Sequence, residues 1–477
     1  MSANLLVIAG TASGVGKTSI TLGLLAALRR RGLAVQSFKV GPDFIDPGLH
    51  ALVTGRLSYN LDGWMCGRAR LLDVVARASA DADVAVVEGV MGCFDGVDGA
   101  TEDGSTAQVA KWLGAPVVLV LDAVAVSRSA AAVVLGFERF DPDLRLAGVI
   151  ANRAGGATHA RWIAEAIGAS CRAEFLGAIP YDPSLMLPER HLGLHTAAEG
   201  ALTEELTRRL ADAVERNVDL DRLLALAAPF CAQAEAADGS PQTGLRRTPR
   251  GRRTPGAPPD PTSPPSAPRA RIGVARDAAF QFYYAENLER LVEAGAEIVE
   301  WSPVRDADVP EVDGLYFGGG YPELHAAALA DNAPVRKAVR RFAEAGRPIY
   351  AECGGLMYLA ESLEDVEGRV HPMVGVLPAA VRMRAHGVTI GYAEVTLRVD
   401  GPLGAAGTVV RGQEFHASTL GPVPEGVPRV YRVRAPGGTE RAEGFVVGRT
   451  LMSYLHLHFA SNPAVAAAFV TACAVGR

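Results

Sequence analysis

The chain has 477 residues, of which 49% are hydrophobic and 21% are charged, and its formal net charge is −6. That length exceeds what a single hydrophobic core holds, so we expect about two or three domains. The mildly acidic balance gives no general electrostatic attraction to nucleic acid or to an anionic membrane, and we expect neither as a partner.

Cysteine usage and the apolar segments bear on the cellular compartment. The six cysteines are scattered, without a Cys-x-x-Cys pair or a spacing typical of zinc sites, which indicates a reducing compartment. The N-terminus runs directly into an apolar strand, and no apolar stretch is long enough to span a membrane. We therefore expect a cytoplasmic protein without a signal peptide.

The first motif is a glycine-rich turn between an apolar strand (residues 5–9) and a helix (residues 20–28). Backbone N–H groups and a helix N-terminus in this layout bind phosphate groups. Lys17 would reach the terminal phosphates of a nucleotide, and the Thr18 hydroxyl would ligate Mg²⁺. Thr11 stands where the pattern G-x-x-x-x-G-K-[ST] has its first glycine. The predicted nucleotide-binding residues of this loop are Thr11, Ser13, Gly14, Val15, Gly16, Lys17 and Thr18.

From this loop to about residue 230, short apolar runs alternate with helical patterns. Such alternation predicts an α/β domain with a mostly parallel sheet, in which ligands bind at the carboxyl ends of the strands. The predicted strands are residues 34–40, 84–87, 117–121 and 146–150, and the predicted helices are residues 69–80, 127–138 and 203–228.

A change in composition separates this half from the next. Residues 232–269 are rich in proline, arginine and serine, so they cannot bury a core and are predicted to form an extended linker. Their arginines are compatible with RNA or an acidic partner, but a solvated tether is favoured. We therefore divide the chain into a nucleotide-binding domain (1–231), the linker (232–269) and a second α/β domain (270–477).

In the second domain, Cys353 lies between a predicted strand (residues 347–351) and a helix. Two glycines follow it, which is typical of a tight turn that exposes a nucleophile at a helix N-terminus, where the helix dipole favours a thiolate. A cysteine nucleophile needs a base, and His456 and His458 are the candidates; their spacing does not distinguish them. Backbone N–H groups near a developing oxyanion are expected from Gly319, Gly320 and Gly354.

Three segments of this domain resemble the glutamine amidotransferase domain of the cobyrinate a,c-diamide synthase family. They are Phe-Gly-Gly-Gly-Tyr-Pro-Glu at 317–323, Ala-Glu-Cys-Gly-Gly-Leu-Met-Tyr at 351–358 and Ser-Tyr-Leu-His-Leu-His-Phe at 453–459. The resemblance implies a class I amidotransferase that hydrolyses glutamine through a cysteine thioester and releases ammonia. It makes Cys353 the nucleophile and His456 the base, with His458 as the fallback.

Two positions depart from the amidotransferase patterns. Common class I domains carry a glutamate two residues after the catalytic histidine, where this chain has His458, so the third member of the triad is missing or replaced. Residues 411–418 resemble the family's Gly-His-Glu-Phe-His-Tyr-Ser, but Gln413 and Ala417 differ from it. We predict no catalytic role for that segment.

The first half resembles the synthetase domain of the same family, which is similar to dethiobiotin synthetase. The resemblance rests on residues 38–47, 59–62, 87–96, 177–180 and 187–194. Acids that follow strands suit Mg²⁺, and the predicted ligands are Thr18, Glu88 and Asp43. Lys39 would bind the nucleotide and neutralise the transferred phosphoryl group. The predicted acceptor site consists of Phe44, Ile45, Asp46, Tyr59 and Asp95.

Together the two resemblances imply a glutamine-dependent carbon–nitrogen ligase of cobalamin biosynthesis. ATP would phosphorylate the a and c acetate carboxylates of a corrin-type macrocycle, and ammonia would displace phosphate to leave amides. The motifs do not distinguish cobyrinate, hydrogenobyrinate or a nickel tetrapyrrole such as Ni-sirohydrochlorin. A partitioning-type ATPase switch is the alternative from another class, and it leaves Cys353 and His456 unexplained. The order of the amidations and a protected ammonia path stay open, and a homodimer is allowed.

Overall fold

A computed structural model of the chain describes residues 3–190, 193–194, 196–200, 202–230 and 268–475. All but the last two residues of the predicted linker, 232–269, lie outside the described residues. In the described part of the chain, no helix is both long enough and apolar enough to cross a membrane.

The N-terminal half alternates strands and helices, as the sequence predicts. Its strands are β1 (Asn4–Gly10), β2 (Val35–Val40), β3 (Tyr59–Leu61), β4 (Val84–Glu88), β5 (Val117–Asp122), β6 (Leu146–Ala154), β7 (Glu174–Pro180), β8 (Glu189–Arg190), β9 (Gly193–Leu194) and β10 (Ala228–Pro229). Its helices are α1 (Lys17–Arg30), α2 (Ile45–Thr54), α3 (Gly63–Ala78), α4 (Thr106–Leu113), α5 (Ser129–Phe140), α6 (Ala157–Ser170), α7 (Glu204–Asn217) and α8 (Leu220–Leu226).

The main sheet of this half has the order β3-β2-β4-β1-β5-β6-β7, and all of these strands are parallel. The short β10 adds to β1 in the antiparallel direction. Successive residues of β1 point to opposite faces of the sheet and belong to two different hydrophobic cores. Leu6 packs in one of these cores and Val7 in the other. Burial on both faces explains why these strands are apolar without alternation. The predicted α/β class is confirmed.

The helix predicted over residues 203–228 is two helices. Val218, at the break, pairs with Gly177 of β7, and Asp219 accepts a hydrogen bond at its side chain from the backbone N–H of Arg222. A strand-like bridge followed by a new N-cap ends α7 and starts α8.

The C-terminal half begins with α/β units and continues as antiparallel strands. Its strands are β11 (Ala270–Ala275), β12 (Ala296–Trp301), β13 (Gly314–Phe317), β14 (Ile349–Glu352), β15 (Ala360–Glu364), β16 (Val370–Pro372), β17 (Leu377–Met383), β18 (Thr389–Leu397), β19 (Val409–His416), β20 (Ser418–Leu420), β21 (Arg429–Arg434), β22 (Glu440–Val447), β23 (Thr450–Ser453) and β24 (Leu455–Leu457). Its helices are α9 (Ala285–Glu293), α10 (Ala326–Asp331), α11 (Ala333–Glu344), α12 (Gly354–Leu359) and α13 (Ala464–Ala474).

One sheet of ten strands crosses this half, in the order β12-β11-β13-β14-β23-β22-β21-β18-β19-β24. The first five strands in this order run parallel to one another. From β23 onward, each strand pairs with the next in the antiparallel direction. A smaller sheet has the order β16-β15-β17-β20. This arrangement brings β14, which precedes Cys353, and β24, which carries His456, into one sheet.

The two halves contact each other through polar and aromatic side chains. Tyr392 on β18 donates from its hydroxyl to Asp62, before α3, at 2.8 Å. Arg411 on β19 donates to the carbonyl oxygen of Trp64 at 2.8 Å and lies over the Trp64 ring at 4.8 Å. The antiparallel strands of the second half therefore face the nucleotide-binding half.

The buried parallel sheet predicts a strong dependence on single core side chains. Leu119 on β5 is fully buried, so Leu119→Ala should lower the free energy of unfolding by about 2–5 kcal/mol. Leu52→Ala is the control, because Leu52 is 54% exposed, and it should change stability by less than about 0.5 kcal/mol. Urea denaturation of the full chain measures both, and equal effects of the two substitutions would contradict the assigned core.

Candidate active sites

The phosphate-binding loop joins β1 to α1, as predicted. Lys17, the first residue of α1, donates from Nζ to the carbonyl oxygens of Ala12 at 3.1 Å and of Met91 at 2.5 Å. A Cβ at Gly10 would lie 2.9 Å from side-chain atoms of both Lys17 and Val15, so glycine at position 10 leaves room for these two side chains. The N–H of Thr11 continues the sheet by donating to a carbonyl of β5 at 3.0 Å. The loop therefore accommodates Thr11 at the position where the usual pattern has its first glycine. The turn contains Ser13, Gly14, Val15 and Gly16, and Thr18 is the second residue of α1.

Two residues that sequence reasoning missed hold this loop from the end of β6. Asn152 donates from its side-chain amide to the carbonyl oxygen of Val15 at 2.9 Å. Arg153 donates to the carbonyl oxygen of Gly14 at 2.7 Å and pairs with Asp122 at 2.7 Å. Their position at the carboxyl end of a parallel strand is a signal that could have identified them.

A cavity of 310 Å³ lies beside the loop. Its lining includes Lys17 and Thr18, the ends of β6 and β7, and apolar side chains of α7. Members from these elements are Asn152, Pro180, Tyr181, Leu210 and Val214. A partly apolar cavity that opens next to a phosphate loop has the character expected for the nucleoside part of a nucleotide.

A buried charge cluster lies at the ends of β2 and β4. Lys39 Nζ lies 2.5 Å from Asp46 Oδ2 and 2.9 Å from Glu88 Oε1. Thr18 donates from its hydroxyl to Glu88 Oε1 at 2.8 Å and to Asp46 Oδ2 at 3.4 Å. The structure thus brings the predicted Lys39, Thr18 and Glu88 together and adds Asp46, which we had expected only in the acceptor site.

Burial and charge act against each other in this cluster. Burial would lower the pKa of Lys39, but the attraction of Asp46 and Glu88 outweighs it and raises the pKa. Burial also opposes ionisation of Glu88, yet Lys39 and His50 lower the pKa of this carboxyl group. Burial and repulsion from Asp43 and Glu88 raise the pKa of Asp46. Carboxylates that repel one another in a buried site are stabilised by an added cation.

The oxygen atoms at this site fit Mg²⁺, which prefers hydroxyl and carboxylate ligands. Thr18 and Glu88 are adjacent, and Asp46 offers a third oxygen in contact with Thr18. Asp43 is turned toward its own loop, where Oδ1 accepts from the N–H groups of Ile45 at 2.6 Å and Asp46 at 3.1 Å. This oxygen of the predicted ligand therefore caps the start of α2.

The predicted acceptor residues divide into two groups. Asp95 lies on the phosphate side, where Oδ2 accepts from the backbone of its own loop at 2.8 Å. The Phe44 ring lies 4.8 Å from the His456 ring, in the second half of the chain. Tyr59 donates from its hydroxyl to Glu289, also in the second half, at 2.5 Å. The predicted acceptor region therefore extends to the contact between the halves.

Cys353 lies in the sharp turn predicted between β14 and α12. Its φ of 46° is unusual for a residue with a side chain and costs about 1–3 kcal/mol. The backbone N–H donates to Ser453 O at 2.7 Å, and the thiol donates to Phe415 O at 3.5 Å. Burial, and then Glu323, raise the pKa of the Cys353 thiol. The N–H of Gly354, at the start of α12, lowers this pKa, as expected of a helix N-terminus, but burial outweighs it.

His456 is packed against the turn that faces the nucleophile. A Cβ at Gly319 would lie 2.3 Å from His456 Cε1, so glycine is required at this close approach. Burial, and then His416, lower the pKa of His456 to about 3, which keeps the imidazole neutral and able to accept a proton. Within the described residues, His456 Nδ1 has no hydrogen-bond partner.

His458 has different neighbours. Its Nδ1 lies 3.4 Å from the Cys66 thiol, its ring lies 4.5 Å from that of Tyr284, and its Nε2 lies 4.0 Å from Glu286. These are the Cys, His and Glu of a possible metal-ligand group, but opposite nitrogens of the imidazole face the two partners, and Glu286 is paired with Arg290 at 3.2 Å. The side chain thus belongs to the contact between the halves, which favours His456 as the base.

The three glycines predicted to stabilise the oxyanion differ in the contacts of their backbones. Gly319 donates its N–H to Phe282 O at 3.2 Å, so its contribution is the space that it leaves for His456. A Cβ at Gly354 would lie 3.1 Å from Gly320 N, which places these two backbones side by side next to Cys353. Their N–H groups are the better donors for an oxyanion.

The histidine segment is held by two further side chains. Glu352 accepts from the N–H of Leu457 at 2.9 Å. Asn287 donates to Leu457 O at 2.7 Å and accepts from the N–H of Phe459 at 2.7 Å. Burial raises the pKa of Glu352 to about 7. These bonds fix β24 against β14 and thereby the position of His456 relative to Cys353.

Two family models match this chain. Residues 6–194 match the model of the CobQ/CobB/MinD/ParA nucleotide binding domain, and residues 271–464 match that of the CobB/CobQ-like glutamine amidotransferase domain. A Syntrophotalea carbinolica protein named cobyrinate a,c-diamide synthase is 50% identical, with 99% of each chain covered.

Two further relatives match along nearly the whole chain. A Dehalococcoides mccartyi protein, also named cobyrinate a,c-diamide synthase, is 40% identical over 98% of this chain and 97% of its own. A Streptomyces coelicolor protein named hydrogenobyrinate a,c-diamide synthase is 43% identical over 98% of this chain and 97% of its own. These matches cover nearly the whole chain, and the chain belongs to the cobyrinate a,c-diamide synthase family.

Proposed function

We propose that the chain catalyses the ATP- and glutamine-dependent amidation of the a and c acetate carboxylates of cobyrinate or hydrogenobyrinate, in the cytoplasm. The observation that carries the proposal is the short segment of residues 44–46, at the start of α2. Asp46 Oδ2 lies 2.5 Å from Lys39 Nζ, and the ring of Phe44, two residues earlier, lies 4.8 Å from the ring of His456. Residues of the phosphate site and of the cysteine–histidine site thus meet at one segment.

In the nucleotide-binding half, ATP would place its γ-phosphate on an acetate carboxylate. A carboxylate is a poor electrophile at neutral pH, and phosphorylation supplies a leaving group. Lys17 and Lys39 would stabilise the negative charge of the transferred group. Mg²⁺, when bound, neutralises phosphate oxygens, and Thr18 and Glu88 would hold it, with Asp46 or Asp43 as a further ligand.

In the amidotransferase half, the Cys353 thiol would give its proton to His456 as sulfur attacks the glutamine amide. The N–H groups of Gly320 and Gly354 would stabilise the oxyanion. His456 would return the proton to the leaving ammonia, and water would hydrolyse the thioester to glutamate. Ammonia would then attack the acyl phosphate, form the amide and release phosphate. We expect ammonia to cross at the Phe44–His456 contact without passing through bulk water.

The identity of the acceptor is tested by incubating the chain with each macrocycle, ATP, Mg²⁺ and glutamine. We expect cobyrinate or hydrogenobyrinate to be amidated twice, each step lowering the mass by the difference between a hydroxyl and an amino group, as mass spectrometry measures. Product from Ni-sirohydrochlorin alone would contradict the proposed acceptor. ATP turnover without glutamate formation would instead support a switch ATPase.

The two active sites should be separable by substitution. Cys353→Ala should abolish glutamine-dependent amidation and retain ammonium-dependent amidation, because the acyl phosphate forms without the thiol. Cys171→Ala is the control, since this cysteine lies in the other half and away from both sites, and it should retain both activities. Liquid chromatography of the amidated product measures each rate. Loss of both activities in Cys353→Ala would contradict the division of labour.

The pH dependence of glutamine hydrolysis follows from the Cys353–His456 pair. Neutral imidazole is the active base, and a pKa of about 3 keeps His456 neutral on acidification. The raised pKa of the thiol keeps the pair uncharged on the alkaline side. We therefore expect kcat/KM for glutamine to be flat between about pH 5 and pH 8.

Glutamate formation in Glu352→Gln serves as the control for this profile. The pKa of Glu352, about 7, lies inside the same window, and the substitution removes this titration. An acid limb centred on 6.5, the ordinary histidine value, in both proteins would show that His456 is not held neutral.

A further inference from the structure

His50 is a fully buried histidine that the proposed mechanism does not use. It lies on α2, four residues after Asp46, so both side chains project from the same face of the helix. Its Nε2 lies 2.7 Å from Glu88 Oε2, and both side chains are 0% exposed. Residues 38 positions apart in sequence therefore meet next to the charge cluster.

The contact with His50 divides the two oxygens of Glu88 between different partners. Oε2 is bound by His50, and Oε1 accepts from Thr18 at 2.8 Å and from Lys39 at 2.9 Å. The terminal torsion of a glutamate is broad, so a carboxylate without a second partner has several orientations. The bond from His50 removes that freedom and keeps Oε1 on the side of Thr18.

His50 is itself held by β2. Its Nδ1 lies 3.3 Å from the Ser58 hydroxyl, which in turn donates to the carbonyl oxygen of Ser37 at 3.2 Å. Ser37 is two residues before Lys39 on the same strand, so both side chains lie on the same face of β2. A chain of hydrogen bonds thus links the strand that carries Lys39 to the far side of Glu88.

The apolar surroundings make this histidine costly without a specific partner. The neighbouring inward positions of α2 are Leu49 and Val53, both in the core. An apolar side chain could be buried there without losing hydrogen bonds to water. The ring nitrogens of a histidine lose such bonds on burial and must replace them with hydrogen bonds inside the protein. Groups that orient metal-binding carboxylates commonly change metal affinity about 10–100-fold when removed.

We propose that His50 is a positioning residue of the nucleotide site, which holds Glu88 so that Oε1 faces Thr18, Lys39 and the Mg²⁺–nucleotide complex. This inference rests on the proposed ATP-dependent function of that site. It assigns no proton transfer to His50.

The test measures how strongly ATP binding depends on Mg²⁺. The full chain is titrated calorimetrically with ATP at a series of MgCl₂ concentrations. The titrations give the Mg²⁺ concentration at which the increase in ATP affinity is half-maximal. We expect His50→Ala to raise that concentration about 10–100-fold. His50→Gln should stay within about threefold of the unsubstituted chain, because the glutamine amide reaches a similar position with an N–H donor.

Two controls separate positioning from loss of structure. Glutamine hydrolysis at Cys353 reports folding of the other half, and it should stay within about twofold in every variant, since the His50 ring is bonded to Ser58 and Glu88 of its own half. His159→Ala removes a histidine of the same half that binds the backbone of Gly155 and Val126, and it should leave the Mg²⁺ dependence unchanged.

An unchanged Mg²⁺ dependence in His50→Ala would overturn the inference. So would a loss in His50→Gln equal to that in His50→Ala, because the hydrogen bond would then not be the cause. A parallel loss of glutamine hydrolysis would assign His50 to folding alone. If the unsubstituted chain amidates no macrocycle, the proposed function fails, and the binding titration still decides the role of His50.

Discussion

The buried contact of Lys39 with Asp46 and Glu88 fixes the geometry of the nucleotide-binding half. Lys39 ends β2, Glu88 ends β4, and Asp46 lies in the first turn of α2, so one ammonium group joins three elements. Separating these charges in a buried site would leave one of them uncompensated, which costs several kcal/mol. The cluster therefore holds the phosphate loop, the start of α2 and the centre of the sheet in a single arrangement.

The same cluster determines how the halves meet. Because Asp46 is held on Lys39, the residues just before it project away from the sheet, and Phe44 reaches the rings of Phe282 at 5.3 Å and Tyr284 at 4.5 Å. Gln413 on β19 donates to the carbonyl oxygen of Pro42 at 2.9 Å. The segment of residues 42–46 thus contacts the charged residues of one half and a strand of the other.

Contiguous motifs made much of this predictable from sequence. The phosphate loop and Cys353 are each defined by neighbouring residues whose local geometry follows from glycine content and strand–helix order. Contacts between distant segments were not predictable, as His50 with Glu88 and Phe44 with His456 show, because tertiary packing determines which segments of the chain meet. The net pKa shift at Cys353 was not predictable for a related reason, since the sequence reveals the helix N-terminus but not the degree of burial that opposes it.

The two active sites differ in charge, and the proposed reaction needs that difference. In the proposed mechanism, phosphoryl transfer uses Lys39, Glu88 and Asp46 as charged or charge-paired groups, whereas glutamine hydrolysis would start from a neutral thiol and a neutral imidazole. Only unprotonated ammonia is a nucleophile toward an acyl phosphate. The ring of Phe44 lies 4.5 Å from that of Tyr284 and 4.8 Å from that of His456, so aromatic faces pack at this contact between the halves. An apolar contact at this point therefore serves the chemistry better than a polar one, because it favours the neutral nucleophile over ammonium.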